Sequence, residues 1–205
     1  WRDIFQNWEA SALSYPGFIP SFIAKFVNAP TIDGYNPYRI TKDGVDWELL
    51  DPEDPWSNIG YWGDHQIIYL LKFLELGNKY NKVDLINMLD KDLFSYANVP
   101  YELCDVETLF NNPKDTVVFN SDKQKDIEKR VSQLGSDGRL MLHNGNEVYL
   151  VNLMEKVLVP LLSKLSNLVL DGGIWLNTQR PEWNDANNAI VGNGLSMVTL
   201  YYMRR

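Results

Sequence analysis

The stretch YWGDHQIIYLLKFLEL, residues 61–76, decides how the chain reads, because its apolar side chains fall on nearly every face of a helix. Ile67, Ile68, Leu70, Leu71, Phe73, Leu74 and Leu76 leave no wide polar stripe, so such a helix has to be buried by neighbours. Gly77 follows as the expected C-terminal stop. Toward the N-terminus, Ile4, Phe5, Trp8 and Leu13 predict a helix over residues 2–14, broken by Tyr15-Pro16-Gly17. Phe18, Ile19, Phe22, Ile23, Phe26 and Val27 recur at helical spacing, with Pro20 tolerated in the first turn. Toward the C-terminus, helical patterns are expected at 82–96, at 121–134, at 148–169 with Pro160 as a kink, and at 195–205.

Between these helices run long loops. Residues 29–60 hold Tyr35, Tyr38, Trp47 and Trp56, and aromatic content of this kind argues against disorder. The Asp43-Gly44 step is suited to close a small hairpin between residues 38–40 and 45–47. Residues 171–194 form a second loop rich in Gly, Asn and Trp. No alternating run is long enough to propose a sheet. The expected class is all-α, with helices joined alternately by short turns and long decorated loops.

The chain's 205 residues fit one domain, and 45% hydrophobic against 22% charged residues is ordinary for a globular protein. Both ends fall inside helical patterns, so the chain reads as part of something larger. No apolar run reaches the roughly 18–20 residues of a membrane span, and Trp1-Arg2-Asp3 lacks the pattern of a signal peptide. The compartment stays open, with the cytoplasm favoured over the periplasm or secretion. One cysteine, Cys104, forms no internal disulfide and no zinc site by itself. With 27 acidic against 19 basic residues and a net charge of −8, a phosphate backbone is repelled, which excludes nucleic acid as the expected partner. Neither a resident metal nor a cofactor is expected.

Three clusters put polar groups where a core does not want them. Arg2, Asp3 and Gln6 share one end of the first helix, where Asp3 also offsets the helix dipole. Asp64 and His65 open the most hydrophobic helix, where the dipole again accounts for an acid and His65 can serve as a hydrogen-bonded core residue. Arg180, Glu182, Trp183, Asn184, Asp185, Asn187 and Asn188 crowd one turn. Asn and Asp favour turns through local backbone bonds, but an acid beside a Trp in a concave site also meets the requirement for proton donation, since desolvation raises its pKa. Seven tryptophans, several in polar loops, suit flat amphipathic ligands such as sugar rings, or cap a core beneath the loops.

In order, Arg2-Asp3-Ile4-Phe5-Gln6-Asn7, Gly63-Asp64-His65, Pro181-Glu182-Trp183-Asn184-Asp185-Ala186 and Gly192-Asn193-Gly194-Leu195-Ser196 resemble a series found in inverting disaccharide phosphorylases. These are the cellobiose and chitobiose phosphorylase type, glycoside hydrolase family 94, of the six-hairpin glycosidases. The family has Asp at the position of Asn7, Asp at Gly63, Gly-Asp at Pro181-Glu182 and Glu at Leu195. The resemblance implies an (α/α)6 toroid, of which this chain would be one part. It makes Asp185 the general acid and carries Arg2, Asp3, Gln6, Asp64, His65, Glu182, Trp183 and Asn184 over as sugar-binding positions. It implies a di- or oligosaccharide substrate, inorganic phosphate as co-substrate, and association with the rest of the same polypeptide or with a second copy. An inverting hydrolase on the same scaffold and a non-catalytic helical module binding glycans or proteins remain the alternatives.

Overall fold

Where apolar spacing is strongest, helices form as the spacing dictates. The protein is described by a computed structural model over residues 2–36, 39–47, 49, 51–53, 61–62, 66–113, 116–176 and 189–205, without the side chains of Arg2, Asp3, Tyr61 and Trp62. Helix α1 covers Arg2–Ser14 and, after a single 3-10 turn at Pro16–Phe18, α2 covers Ile19–Val27 with Pro20 in its first turn. The apolar stretch 66–76 begins as one π-helical turn, Gln66–Leu70, and continues as α3, Leu71–Tyr80. Gly77 does not stop this helix. It is buried inside α3, and a Cβ there would stand 3.5 Å from Ile23 Cδ1 and 3.6 Å from Ile19 Cγ2. A Cβ there would meet α2 at ordinary contact distance, and the helix ends at Asn81 instead.

Helices α4 (Lys82–Asp90), α5 (Val106–Asn111), α6 (Ser121–Leu134), α7 (Leu153–Leu165) and α8 (Met197–Arg204) complete the helical set among the described residues. Side chains start four of them. Asp105, Asn120, Asn152 and Ser196 each accept a backbone N–H from the first turn that follows, which satisfies donors the helix leaves free.

The all-α expectation, and with it the (α/α)6 toroid, is overturned. Among the described residues, several small antiparallel sheets hold 17% against 55% in helices, so the class is mixed α/β. The strands are β1 (Tyr35–Asn36), β2 (Arg39–Thr41), β3 (Gly44–Asp46), β4 (Tyr61–Trp62), β5 (Tyr101–Leu103), β6 (Val117–Phe119), β7 (Leu142–His143), β8 (Glu147–Val148), β9 (Leu168–Val169), β10 (Gly173–Trp175) and β11 (Leu195–Ser196). β1 pairs β4, β2 pairs β3, β5 pairs β6, β7 pairs β8, and a three-stranded sheet runs β11-β10-β9. Each strand is two or three residues long, too short for an alternating pattern to be visible in sequence. The expected hairpin at Asp43-Gly44 is present, with Ile40 opposite Val45. The helix expected over 148–169 is trimmed at both ends by β8 and β9, and that over 195–205 yields its first two residues to β11.

Two cores result. The first stacks aromatic rings from α1, α2 and α3: Phe5 lies 3.5 Å from Phe26 and 5.2 Å from Tyr69, centroid to centroid, and Phe73 closes the cluster. The second is built by loop and strand residues, Tyr35, Val45, Trp47, Tyr101 and Val117, over Ile127 of α6. Trp8 packs on Phe22 and Phe26, and Trp47 donates its indole N–H to Gln124 at 2.8 Å. Both of these tryptophans therefore serve the cores.

Candidate functional site

Two pairs of contacts fix how the helices that follow the sequence clusters run relative to one another. Gln6 Nε2 donates to the Tyr69 hydroxyl at 3.5 Å, and one turn on, Lys72 Nζ meets Glu9 Oε2 at 2.9 Å. Three residues along α1 match three along the π-turn and α3, so the two run parallel. On the other flank, α8 packs against the π-turn, while Arg205 Nε, just past its C-terminal end, reaches Glu75 Oε1 farther along α3 at 2.7 Å. α8 therefore runs in the same sense. Followed back one turn, the α1 register brings residue 3 level with Gln66.

The N-terminal ends of α1, the π-turn and α8 therefore share one end of the molecule. Arg2, Asp3 and Gln6 begin the first. Asp64 and His65 directly precede the second in the chain. Gly192-Asn193-Gly194-Leu195-Ser196 leads into the third, and Ser196 caps α8 through the Thr199 N–H at 3.3 Å. In the chain the third cluster lies between residues 176 and 189, and the described residues on either side of it are tied together. Gly192 N donates to Leu176 O at 2.7 Å and Leu176 N to Gly194 O at 3.0 Å, while Ile174 pairs with Ser196. α8 packs against both the π-turn and β10, so this stem belongs to the same end.

Of the positions expected from sequence, Gln6 is described with its side chain, on α1 beside Tyr69. The backbones of Arg2 and Asp3 open α1, while their side chains lie outside the described residues. Asp64, His65, Glu182, Trp183, Asn184 and Asp185 lie outside them as well.

Around this end the structure defines Gln66, which follows Asp64 and His65 in the second sequence cluster, and adds Tyr69, which no cluster held. Gln66 is buried, and its Nε2 donates to Phe26 O at 2.7 Å and toward Asn36 Oδ1 at 3.4 Å. A carbonyl can only accept, so Phe26 fixes which way the amide faces, and Gln66 Oε1 is left without a hydrogen-bond partner. Gln66 also lines a half-open cavity of about 230 Å³ whose remaining walls are largely apolar, from Leu70 and Leu74 to Val157, Pro160 and Tyr202. A π-turn inside a helix often marks a functional position, and here it is what sets Gln66 and Tyr69 at the mouth of α3. The hydrogen bond that Lys72 donates to Glu9 holds its ammonium above the usual range, against a burial effect of opposite sign. Lys72 also lies 5.5 Å from the centroid of the Tyr69 ring. Among the described residues no group of three or more His, Cys, Asp or Glu is arranged to hold a metal ion, and no helix is long and apolar enough to cross a membrane.

Gln66 was within reach of the sequence, as the polar residue that follows Asp64 and His65 into the most apolar helix. Tyr69 had no such signal, because its hydroxyl emerges from an otherwise apolar run. Compared with known proteins, the chain matches no family model and no curated protein sequence.

Proposed function

We propose that this chain belongs to an enzyme that cleaves a glycosidic bond of a di- or oligosaccharide with inversion, Asp185 acting as general acid and inorganic phosphate as the attacking group. The observation that supports the reading is that α1, the π-turn and α8 run in one sense, through Gln6–Tyr69, Glu9–Lys72 and Arg205–Glu75, so that the helix ends adjoining the polar clusters in sequence lie at one end. The ordered likeness of residues 2–7, 63–65, 181–186 and 192–196 to the inverting phosphorylases supports the same chemistry.

In that chemistry the acid protonates the departing oxygen while the nucleophile attacks the anomeric carbon from the opposite face, through an oxocarbenium-like transition state. Phosphate brings its own negative charge, so one protein acid suffices. Helix N-termini that share one end offer free N–H groups and positive dipole ends, which favour an anion there. Water in place of phosphate would need a second carboxylate as base, roughly 6.5–9.5 Å from the first.

The test is turnover of a disaccharide panel by the full-length protein, with and without phosphate, read as sugar 1-phosphate release. Asp185→Asn is expected to lower turnover by about 10²- to 10⁴-fold with folding intact. Full activity in that variant contradicts the assignment of the acid, and phosphate-independent cleavage turns the reading to a hydrolase.

A further inference from the structure

Helix α5 has six residues and buries none of them. Its start is secured by Asp105, whose carboxylate accepts the Thr108 N–H at 2.8 Å and faces the Thr108 hydroxyl at 3.2 Å. The two apolar side chains one turn apart, Val106 and Phe110, are 66% and 70% exposed. A short helix that adds nothing to the core, yet holds an aromatic ring in solvent, invites the question of what the ring meets.

On one side it meets Trp175. The two rings stack at 5.7 Å between centroids and 19° between planes. Trp175 is itself held rigidly: its Nε1 donates to Gly192 O at 3.1 Å, its backbone N–H to Asn167 O at 2.8 Å, and it pairs with Leu195 across the sheet. Pro113, just past α5, abuts Gly192 so closely that a Cβ there would stand 2.5 Å from Pro113 Cγ. The stack thus stands on the stem that leads into the segment carrying Asp185, one residue before the cap of α8.

We infer that the Phe110–Trp175 pair is a stacking platform for a pyranose ring, extending the proposed pocket to an oligosaccharide longer than a disaccharide. This rests on the sugar-cleaving reading for the nature of the ligand. A pyranose presents a flat C–H face to an aromatic ring and hydroxyls at its rim, and the exposed Asn111 and Asn112 follow Phe110 directly in the chain. A protein partner fits less well. Two aromatic side chains of roughly 150–250 Å² each supply far less than the roughly 800 Å² per partner of a stable interface.

The test titrates Asp185→Asn protein with cellotetraose, chitotetraose and maltotetraose and with the matching disaccharides, by calorimetry, alone and combined with Phe110→Ala or Phe110→Trp. Phe110 is largely exposed, so its removal should leave thermal unfolding unchanged. Phe110→Ala is expected to weaken the tetrasaccharide that binds by about ten-fold and leave its disaccharide unchanged, with Phe110→Trp restoring affinity. Tetrasaccharide affinity unmoved by Phe110→Ala, or equal loss for both lengths, overturns the platform and leaves the sugar reading standing. Binding of no sugar of either length overturns both. Loss of self-association in Phe110→Ala, seen by size-exclusion chromatography with sugar affinity unchanged, assigns the ring to a protein contact and likewise overturns the platform.

Discussion

α3 and α7 are both apolar in sequence, and they pack in opposite senses. The run through the π-turn and α3 buries Ile68, Tyr69, Leu70 and Phe73 against α1 and α2. α7 buries Leu153, Lys156, Pro160 and Lys164, while Met154, Leu158, Leu162 and Leu165 stand 40–55% exposed. The second helix turns two lysines inward and three of its leucines outward. What orients it is local. Asn152 caps its first turn, the Tyr96 hydroxyl donates to Glu155 at 2.8 Å, and the Ser163 hydroxyl donates to Asp33 O at 2.8 Å. Gly34, at φ +82°, lies so close to α7 that a Cβ there would collide with the Ser163 hydroxyl. Apolar content says that a helix is packed by something; polar contacts at its ends decide which face turns inward.

The contrast has its largest expected consequence at Phe73. Phe73→Ala removes a ring that touches Phe5, Phe22 and Phe26, and should lower stability in urea unfolding by about 3–5 kcal/mol. A loss under about 1 kcal/mol would show that the aromatic cluster is not the centre of the first core.

Lys156 is the middle case and carries a pH signature. Its Nζ has no hydrogen-bond partner and sits 3.3 Å from the centroid of the Tyr96 ring. Burial pushes the amine well below its usual range, with Glu155 opposing in part. Between that lowered value and the ordinary 10.5 the unfolded chain binds one more proton, so stability should rise with pH through this window. Below the window the full penalty stays. Lys156→Met is therefore expected to add about 1–2 kcal/mol at neutral pH and to flatten the alkaline rise, measured by unfolding at pH 7 and pH 10. If the ring face and Glu155 stabilise the charged amine more than burial penalises it, the same variant loses stability at neutral pH. The smallest effect is expected on the outer face: Leu162→Gln should change stability by less than about 0.5 kcal/mol.

How much of this was legible in the sequence follows from the same contrast. Helical spacing from Ile4 to Leu13 and from Ile19 to Val27 announces α1 and α2 closely, because each apolar residue on one face finds a partner on the next helix. The second core was invisible, because Tyr35, Val45, Trp47, Tyr101 and Val117 come from strands and loop positions of two or three residues with no period to detect. Gly77 misled for a related reason: it lies inside α3 facing Ile19 and Ile23 of α2, and nothing local separates that from a helix stop. In the candidate site the polar clusters were legible as residues out of keeping with a core. The common end of the adjoining helices was not, since the shared direction of α1 and α3 depends on contacts across 63 positions, as between Gln6 and Tyr69. The Phe110–Trp175 stack was hidden for the same reason, because one ring lies in a short helix and the other in a strand.

The most direct measurement is the distance between residues 3 and 185. Nitroxide labels at Asp3→Cys and Asp185→Cys, in a Cys104→Ser background of the full-length protein, can be read by pulsed electron dipolar spectroscopy. If the helix ends and the stem gather the three clusters into one pocket, a narrow distribution within about two helix–helix spacings, roughly 20 Å, is expected. A distribution centred beyond roughly 35 Å, longer than any helix of the protein, would put the proton donor on a different surface and contradict a shared sugar-cleaving site.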